Sequence, residues 1–397
     1  MRGSLFAFME SKPDGAYFIG HSSALLKIGK KLVLFDGVCG DHSPYENYIF
    51  HPKQVDFTEI LPKVTVDLRS HCHADHWSAD ILEKLTCSTF IMDGRPSFRA
   101  TLAKHTDVVE VPRLTWHTVA PGVEAFFVPN PRNQVDSSCL VRGNGFTCYL
   151  SSDNFLDRNL CQKVSEAAGM IDVAFLCYAF VHPYPALFEM DAAKKTAEAH
   201  RLKKQSLDQA RMFQEICRPR LTIPMGNNLV YCEGPEHLLN KFLAKPEELA
   251  GSYPLRAGDY ALKVGGFMAA KLDDAPVPPP EWRPLPPMDF AVELSDRELV
   301  SVISRVRKAA RNCPGHAIVV NDVVVIDAQE RRAYEAPMTA LLRDRKTHHF
   351  WFDAPVFHAW ARGKIAFEAA MGSRRFKYSR SYEEFFPGIV DWWSEFL

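Results

Sequence analysis

The sequence predicts an α/β protein with a large first domain followed by a smaller α+β domain. Residues 1–270 alternate short apolar runs with helical patterns, which is typical of strands and helices that alternate along a chain. Residues 275–287 read APVPPPEWRPLPP, a proline density that indicates an extended connector. Helix and strand patterns then resume, so we predict domains at 1–270 and 289–397 joined by a linker at 271–288.

The composition is that of a globular protein with almost balanced charge. The 397 residues are 47% hydrophobic, and 47 basic against 48 acidic residues leave a formal net charge of −1. This balance argues against nucleic acid or an anionic membrane as a partner. No apolar run approaches the ~20 residues that span a bilayer, and residues 1–20 lack the pattern of a signal peptide. The ten cysteines include no CxxC pair, which favours free thiols and a reducing, cytoplasmic location.

Apolar runs and turn signals predict the elements of the first domain. Asn144-Gly145 favours the positive φ angles of a tight turn and therefore a hairpin. Leu207, Ala210, Phe213 and Cys217 have the spacing of a buried helical stripe. We predict a helix over 191–217 and strands over 31–36, 64–70, 123–128, 139–141, 146–151, 173–178 and 221–223.

The segment His71-Cys72-His73-Ala74-Asp75-His76 carries the clearest chemical signal. It follows a predicted strand, in which alternate side chains point to one face, so His71 and His73 can converge on one ion. Asp75 and His76 lie beyond the strand and can face a second ion. Imidazole and carboxylate groups suit zinc and iron. A solvated polar loop is the alternative, but four ligand-type residues in this register favour metal binding, with Ser78 as the N-cap of a following helix.

Together with this segment, other motifs resemble the metallo-β-lactamase superfamily over residues 15–245. Gly20-His21-Ser22-Ser23-Ala24-Leu25-Leu26, followed by Leu34-Phe35-Asp36, resembles the branch of ascorbate-lactonase-like and N-acyl-phosphatidylethanolamine-phospholipase-like proteins. Ser151-Ser152-Asp153-Asn154 resembles the superfamily's bridging-aspartate segment. The resemblance implies an αββα sandwich, Asp153 as a carboxylate that bridges two cations, and Asp36 as a support for the metal loop. The alternatives are a helix N-cap for Asp153 and a turn residue for Asp36.

The sequence departs from the superfamily pattern at two ligand positions. Residues 129–138 contain no histidine where the resemblance implies one, and the oxygens of Asn130, Asn133 or Asp136 are its candidate replacements. The resemblance also implies a Pro-x-His turn after the last strand, where this chain has Ile223-Pro224-Met225-Gly226-Asn227-Asn228. His182 follows the predicted strand 173–178, and it either replaces a ligand, touches substrate or is an ordinary loop histidine.

These departures decide which chemistry we expect. A site with oxygen ligands and open coordination positions suits iron and the binding of dioxygen better than it suits the zinc ions of a hydrolase. The pattern DSSCLV…YLSSDN also resembles the lactamase-fold part of CMP-N-acetylneuraminate hydroxylase. We therefore expect a non-haem diiron oxygenase that takes dioxygen, a reductant and a small or carrier-bound substrate. The alternative is a hydrolase of an ester, amide, lactone or phosphodiester that uses metal-bound hydroxide, and a binding protein with a degenerate site is a third hypothesis.

The expected centre holds two metal ions, with iron favoured and zinc or manganese as alternatives. Asp75 and His182 are the candidate catalytic residues. The candidate metal ligands are His71, His73, Asp75, His76, Asp153 and His182.

The second domain is less informative. Its pattern predicts a helix over 296–311 and strands over 317–320 and 323–327, an order that resembles a sterol-carrier-type module. Aromatic residues such as Trp351 and Trp360 either line a substrate lid or form the core of the domain or the interface of a homo-oligomer.

Overall fold

The computed structural model describes most of the chain. The strands, in chain order, are β1 (Gly15–Gly20), β2 (Ser23–Ile28), β3 (Lys31–Phe35), β4 (Tyr48–Phe50), β5 (Val66–Arg69), β6 (Thr89–Met92), β7 (Val108–Val111), β8 (Trp116–Ala120), β9 (Val123–Pro129), β10 (Ser137–Gly143), β11 (Phe146–Leu150), β12 (Val173–Cys177), β13 (Leu221–Met225), β14 (Leu229–Tyr231), β15 (Tyr260–Leu262), β16 (Phe267–Met268), β17 (His316–Val320), β18 (Val324–Asp327), β19 (Arg332–Glu335), β20 (Lys346–Phe352) and β21 (Phe376–Arg380). The helices are α1 (Leu5–Ser11), α2 (Ala79–Leu82), α3 (Pro96–Leu102), α4 (Arg158–Ala168), α5 (Ala192–Cys217), α6 (Asp296–Lys308) and α7 (Ala354–Ala361). The described residues are 5–38, 48–50, 54–73, 75–131, 136–179, 185, 190–226, 229–231, 243–252, 260–262, 267–268, 289–308, 315–336, 342–343, 345–364 and 376–380.

Two large mixed sheets form the first part of the chain. One has eight strands in the order β16-β15-β1-β2-β3-β5-β6-β7, and the other has six in the order β13-β12-β11-β10-β9-β8. In the first sheet β3, β5, β6 and β7 are parallel. In the second, β11, β12 and β13 are parallel. Strands β4 and β14 form a separate antiparallel pair.

The two sheets pack face to face and are covered by helices on their outer faces. One core cluster joins buried side chains of both sheets, including Phe18 and Val33 of the first and Phe127 and Phe175 of the second. A second cluster packs α1 and α2 against the outer face of the first sheet, and a third packs α4 and α5 against the second sheet. This order of layers is the predicted αββα sandwich, and the α/β fold class is confirmed.

Several predicted elements are confirmed with small shifts at their ends. The hairpin of β10 and β11 turns through Asn144 and Gly145, at φ 50° and 69°. Helix α5 begins after Asp191, whose side chain accepts a hydrogen bond from the backbone N–H of Lys194. Strand β5 ends at Arg69, so the histidine segment lies wholly beyond the strand. In the described residues no helix is both long and apolar enough to cross a membrane.

The C-terminal part has its own sheet and its own core. Its five strands run in the order β19-β18-β17-β20-β21, and α6 and α7 pack on them through residues such as Val302 and Trp360. The predicted helix and strands are present, with the helix described over Asp296–Lys308. Trp360 belongs to this core and Trp351 is only partly buried. The linker at 271–288 lies outside the described residues, so the domain boundaries and the sterol-carrier resemblance stay predictions.

Candidate metal centre

Strand ends from both sheets meet at one edge of the sandwich. Strands β3 and β5 are parallel, so Asp36 after β3 and His71 after β5 lie at the same edge. In the second sheet Asp153 follows β11. Strand β10 is antiparallel to both β9 and β11, so the connection from β9 to β10 lies at the same end of the sheet as Asp153. The carboxyl ends of parallel strands are where open α/β sheets place their ligands. The predicted ligands that lie in the described part of the chain, from both sheets, are therefore brought together.

His71 and His73 converge, although not for the reason that the sequence suggested. Because β5 ends at Arg69, strand alternation does not align these side chains, and the chain bends at Cys72 instead. His71 Nε2 nevertheless lies 2.7 Å from His73 Nδ1. His71 is fully buried, and its Nδ1 lies 2.8 Å from the Ser70 hydroxyl. A partner on one ring nitrogen fixes the ring and leaves the other nitrogen to bind an ion.

His76 lies between carboxylates on its two sides. Its Nδ1 is 3.0 Å from Asp36 Oδ2, while its Nε2 is 3.4 Å from Asp153 Oδ2 and 3.7 Å from Asp75 Oδ2. His76 and Asp36 are both fully buried, whereas the Asp153 side chain is 34% exposed. The ring therefore presents Nε2 to the open side of the site.

Asp36 is engaged as a hydrogen-bond acceptor. Its Oδ1 accepts from the backbone N–H of Ser70, and its Oδ2 accepts from the hydroxyls of Ser70 and Ser152 as well as facing His76. A carboxylate with this many donors is poorly placed to bind an ion as well. This geometry is what the resemblance implied for Asp36, a support of the metal loop, and Asp36 and Ser152 both hold positive φ angles, 44° and 52°.

The carboxylates and the burial act in opposite directions on the histidines. Burial, with His76 and His73 nearby, lowers the pKa of His71 well below its ordinary value. Burial alone would also lower the pKa of His76, but the carboxylates of Asp153 and Asp75 outweigh it and raise that pKa well above the ordinary value. Burial would raise the pKa of Asp75 and of Asp153, but His76 outweighs it and lowers both. Neutral imidazoles and ionised carboxylates are the forms that bind metals.

Among the three oxygen candidates in 129–138, Asp136 lies beside the histidine segment. Its Oδ1 is 3.9 Å from His71 Nε2, and its Oδ2 accepts a hydrogen bond from Asn130 Nδ2 at 3.2 Å. Asn130 thus touches Asp136. Asn133 lies outside the described residues.

Two arginines hold the segment in place from behind. Arg69 is fully buried, pairs with Asp67, and donates from Nη1 to the carbonyl oxygens of Gly37 and His76 at 2.8 and 2.9 Å. Arg95 donates to the carbonyl oxygens of Ser70 and Asp136, which connects the segment to the second sheet.

The described residues include three groups that could hold a metal ion: His71 with His73 and Asp153; His21 with Asp75 and His76; and Asp36 with His71 and His76. The first two share no residue and together contain all the predicted ligands except His182. His182, like Asn227 and Asn228, lies outside the described residues, so its two predicted roles stay predictions. His21 was not predicted as a site residue. The only sequence signal for it was its place in Gly20-His21-Ser22-Ser23, between two apolar runs; the structure puts it in the β1–β2 turn, beside the end of β3, at φ 48°.

One smaller prediction has a mixed outcome. Ser78 does occupy the N-cap position of α2, but its side chain makes no capping hydrogen bond. Gly226 follows β13 next to the site, at φ 87°, and a Cβ there would lie 3.7 Å from Asp153 Oδ1. The seven cysteines in the described residues are free, and Cys39, Cys232 and Cys313 lie outside the described residues.

Solved structures similar to this chain include proteins described as having the metallo-β-lactamase fold. Neither a family model nor a curated protein matches the sequence. CmlA, a diiron beta-hydroxylase from Streptomyces venezuelae, is 17% identical over 54% of this chain and 45% of its own, with a TM-score of 0.41. Igni18, a metallo hydrolase from Ignicoccus hospitalis, is 17% identical over 65% of this chain and 99% of its own, with a TM-score of 0.43. YhfI of Bacillus subtilis, a metallo-beta-lactamase fold protein, is 13% identical over 54% of this chain and 86% of its own, with a TM-score of 0.35. This chain thus spans less than half of CmlA, and at these identities the likeness concerns the fold alone.

Proposed function

We propose that the chain is a non-haem diiron oxygenase, a hydroxylase or oxidase of a small or carrier-bound substrate. The observation that carries this proposal is the carboxylate of Asp136, 3.9 Å from His71 Nε2. Together with Asp75 and Asp153, Asp136 makes three carboxylates beside the three histidines of the segment. Donor sets that mix imidazole with several carboxylates suit iron and manganese better than a nitrogen-rich set does.

Two ions fit the geometry of the described donors. His71, His73 and Asp153, with Asp136 at their side, would hold one ion, and Asp75 with His76 would hold the other. Asp153 is within reach of both groups, because its Oδ2 lies 3.4 Å from His76 Nε2. A shared carboxylate between two histidine-containing groups is the arrangement of a dinuclear centre.

A hydroxylation requires an oxidant and a reductant besides the substrate. One atom of dioxygen enters a C–H bond of the substrate, and the other leaves as water with two protons and two electrons from an external reductant. Bound iron supplies the redox chemistry that amino-acid side chains lack. In the chain itself, Asp36 and Ser70 orient the histidines, and the partly exposed Asp75 and Asp153 border the open side.

A metal-dependent hydrolase is the second candidate, because a site with several histidines also suits zinc. Such an enzyme would attack an ester, amide, lactone or phosphodiester with an activated water and would need no oxygen. The two candidates differ in metal and in co-substrate, so one set of measurements separates them.

Metal reconstitution under argon tests the proposal. Purified chain is loaded with ferrous iron, zinc or manganese, and bound metal is counted. We expect about two irons per chain and a change in visible absorption when dioxygen or peroxide is added. Asp153→Asn and His71→Ala should lose the bound iron and the absorption change. His105→Ala should keep both properties, because His105 is a partly exposed histidine paired with Glu83. Two tightly bound zincs, no response to oxygen, and turnover of generic esters would overturn the oxygenase.

A further inference from the structure

We propose that His21 is an additional metal ligand, which completes the position held by Asp75 and His76. This inference rests on the proposed dinuclear centre and adds a fourth histidine to it. His21 comes from the β1–β2 turn, 54 residues before Asp75 in the chain. Nevertheless its Nε2 lies 3.1 Å from Asp75 Oδ2, and one donor atom from each of His21, Asp75 and His76 lies within 4.8 Å of the others.

The spacing of these atoms matches a common ion. Nitrogen and oxygen ligands sit about 2.0–2.2 Å from a zinc-like ion, so neighbouring ligands are about 3.0–3.5 Å apart at tetrahedral or octahedral angles. The measured separations are 3.1 Å from His21 Nε2 to Asp75 Oδ2 and 3.7 Å from Asp75 Oδ2 to His76 Nε2. The donor atoms of His21 and His76 lie no more than 4.8 Å apart, so a modest closing of this pair and of the Asp75–His76 pair would place all three atoms on one ion.

The backbone holds His21 in this position. Its side chain is almost fully buried, and its carbonyl oxygen accepts a hydrogen bond from the N–H of Gly226 at 3.0 Å. Its φ of 48° places it in the left-handed region, which histidine enters more often than most residues. Next to it, the Ser23 hydroxyl donates to the carbonyl oxygen of Asp36 at 2.6 Å. The turn is therefore tied to the ends of both β3 and β13.

The end of β13 cannot supply this donor. Residues 221–226 contain neither histidine nor carboxylate. Gly226 faces the site without a side chain: a Cβ on this residue would lie 3.7 Å from Asp153 Oδ1 and from Ser22 Oγ. His21 approaches the same region from the adjacent turn. The second metal position would thus take its imidazole from the β1–β2 turn and not from the end of β13.

His21→Gly is the sharpest variant, because glycine adopts positive φ without strain and leaves the turn intact. The protein is loaded with cobalt(II), and proton NMR records the strongly shifted N–H resonances of coordinated histidine rings. We expect one fewer shifted N–H in His21→Gly than in the wild type, and at least about tenfold weaker binding of one of the two ions. Added imidazole should restore the visible cobalt spectrum of the variant and leave that of the wild type unchanged.

Control variants separate the failure of this inference from the failure of the proposed centre. His105→Gly, also at a turn residue, should bind cobalt like the wild type. If His21→Gly keeps every shifted N–H and both affinities while Asp153→Asn loses metal, His21 is not a ligand and the centre stands. If Asp153→Asn and His71→Gly also bind as the wild type does, the dinuclear centre itself is wrong.

Discussion

Asp36 Oδ2 lies 3.0 Å from His76 Nδ1, on the side of the imidazole ring away from Asp153, whose Oδ2 is 3.4 Å from Nε2. This contact fixes which nitrogen of His76 faces the site. A carboxylate behind a ligating histidine also makes the ring a better ligand, and losing one typically costs 10–100-fold in metal affinity.

Asp36→Asn should therefore weaken metal binding about 10–100-fold without loss of the fold, because asparagine has the same size and tolerates the positive φ at this position. Competition with a chromophoric chelator measures the affinity. Asp172→Asn is the control, since its carboxylate is buried, accepts a hydrogen bond from Arg220, and lies just before β12, at the opposite end of the strand from the site. An unchanged affinity in Asp36→Asn would remove the supporting role that the geometry gives to Asp36.

Metal should stabilise the folded chain, because its ligands come together only in the folded state. At a metal concentration 100 times the dissociation constant, the free energy of unfolding should rise by about 2.7 kcal/mol per site. Urea unfolding with and without metal measures this change. His71→Ala should gain clearly less than the wild type, because it removes a ligand of one of the two positions, whereas His105→Ala should gain as much as the wild type. Equal stabilisation of His71→Ala would mean that the metal binds elsewhere.

Arg69 should matter more for stability than for chemistry. It pairs with Asp67 where both side chains are fully buried, and burial raises the pKa of Asp67 although Arg69 opposes that effect. Arg69→Met leaves a buried carboxyl group without its partner and should cost about 3–5 kcal/mol in the free energy of unfolding. Asp67→Leu combined with Arg69→Met should recover part of this loss. Denaturant titration of the single and double variants checks both statements, and a loss below 1 kcal/mol in Arg69→Met would contradict them.

Glu298 should give the C-terminal part a stability that depends on pH. Burial would raise the pKa of Glu298, but hydrogen bonds from Ser295 and His358 outweigh it and lower that pKa from 4.5 to about 2. A lowered folded-state pKa means that the charged form stabilises the fold above about pH 4.5, and that this contribution is lost as the pH falls toward about 2. Glu298→Gln should therefore be less stable than the wild type at neutral pH.

The difference between these two proteins should shrink as the pH falls through that window, and urea unfolding followed by tryptophan fluorescence measures it. Glu330→Gln, in an exposed side chain, should follow the wild type at every pH. A difference that stays constant from neutral to acidic pH would show that Glu298 acts through packing alone.

Elements with strong local signals could be predicted from the sequence. The hairpin at Asn144 and the long helix after Asp191 follow from turn chemistry and from the spacing of apolar residues. The αββα layers were implied by the resemblance to the metallo-β-lactamase superfamily. Asp153 and the histidine segment were also recognisable, because ligand-type residues cluster after strands there.

What the sequence could not supply depends on contacts between distant segments. His21 is an ordinary turn histidine until the fold places it 3.1 Å from Asp75. The choice among Asn130, Asn133 and Asp136 depends on how one loop lies against His71, which no local pattern encodes. The convergence of His71 and His73 was expected from strand alternation, whereas the bend after Arg69 produces it.

The candidate centre joins parts of the chain that are made at different times. Ser70 and Ser152, whose hydroxyls lie 2.8 Å apart beneath the site, are separated by 82 residues, and each belongs to a different sheet. During synthesis the first-sheet strands that precede residue 112 can present His71 and His76 before Asp153 has left the ribosome. The complete donor set exists only once the second sheet has closed over the first. A bound ion would therefore report that both halves of the sandwich have assembled.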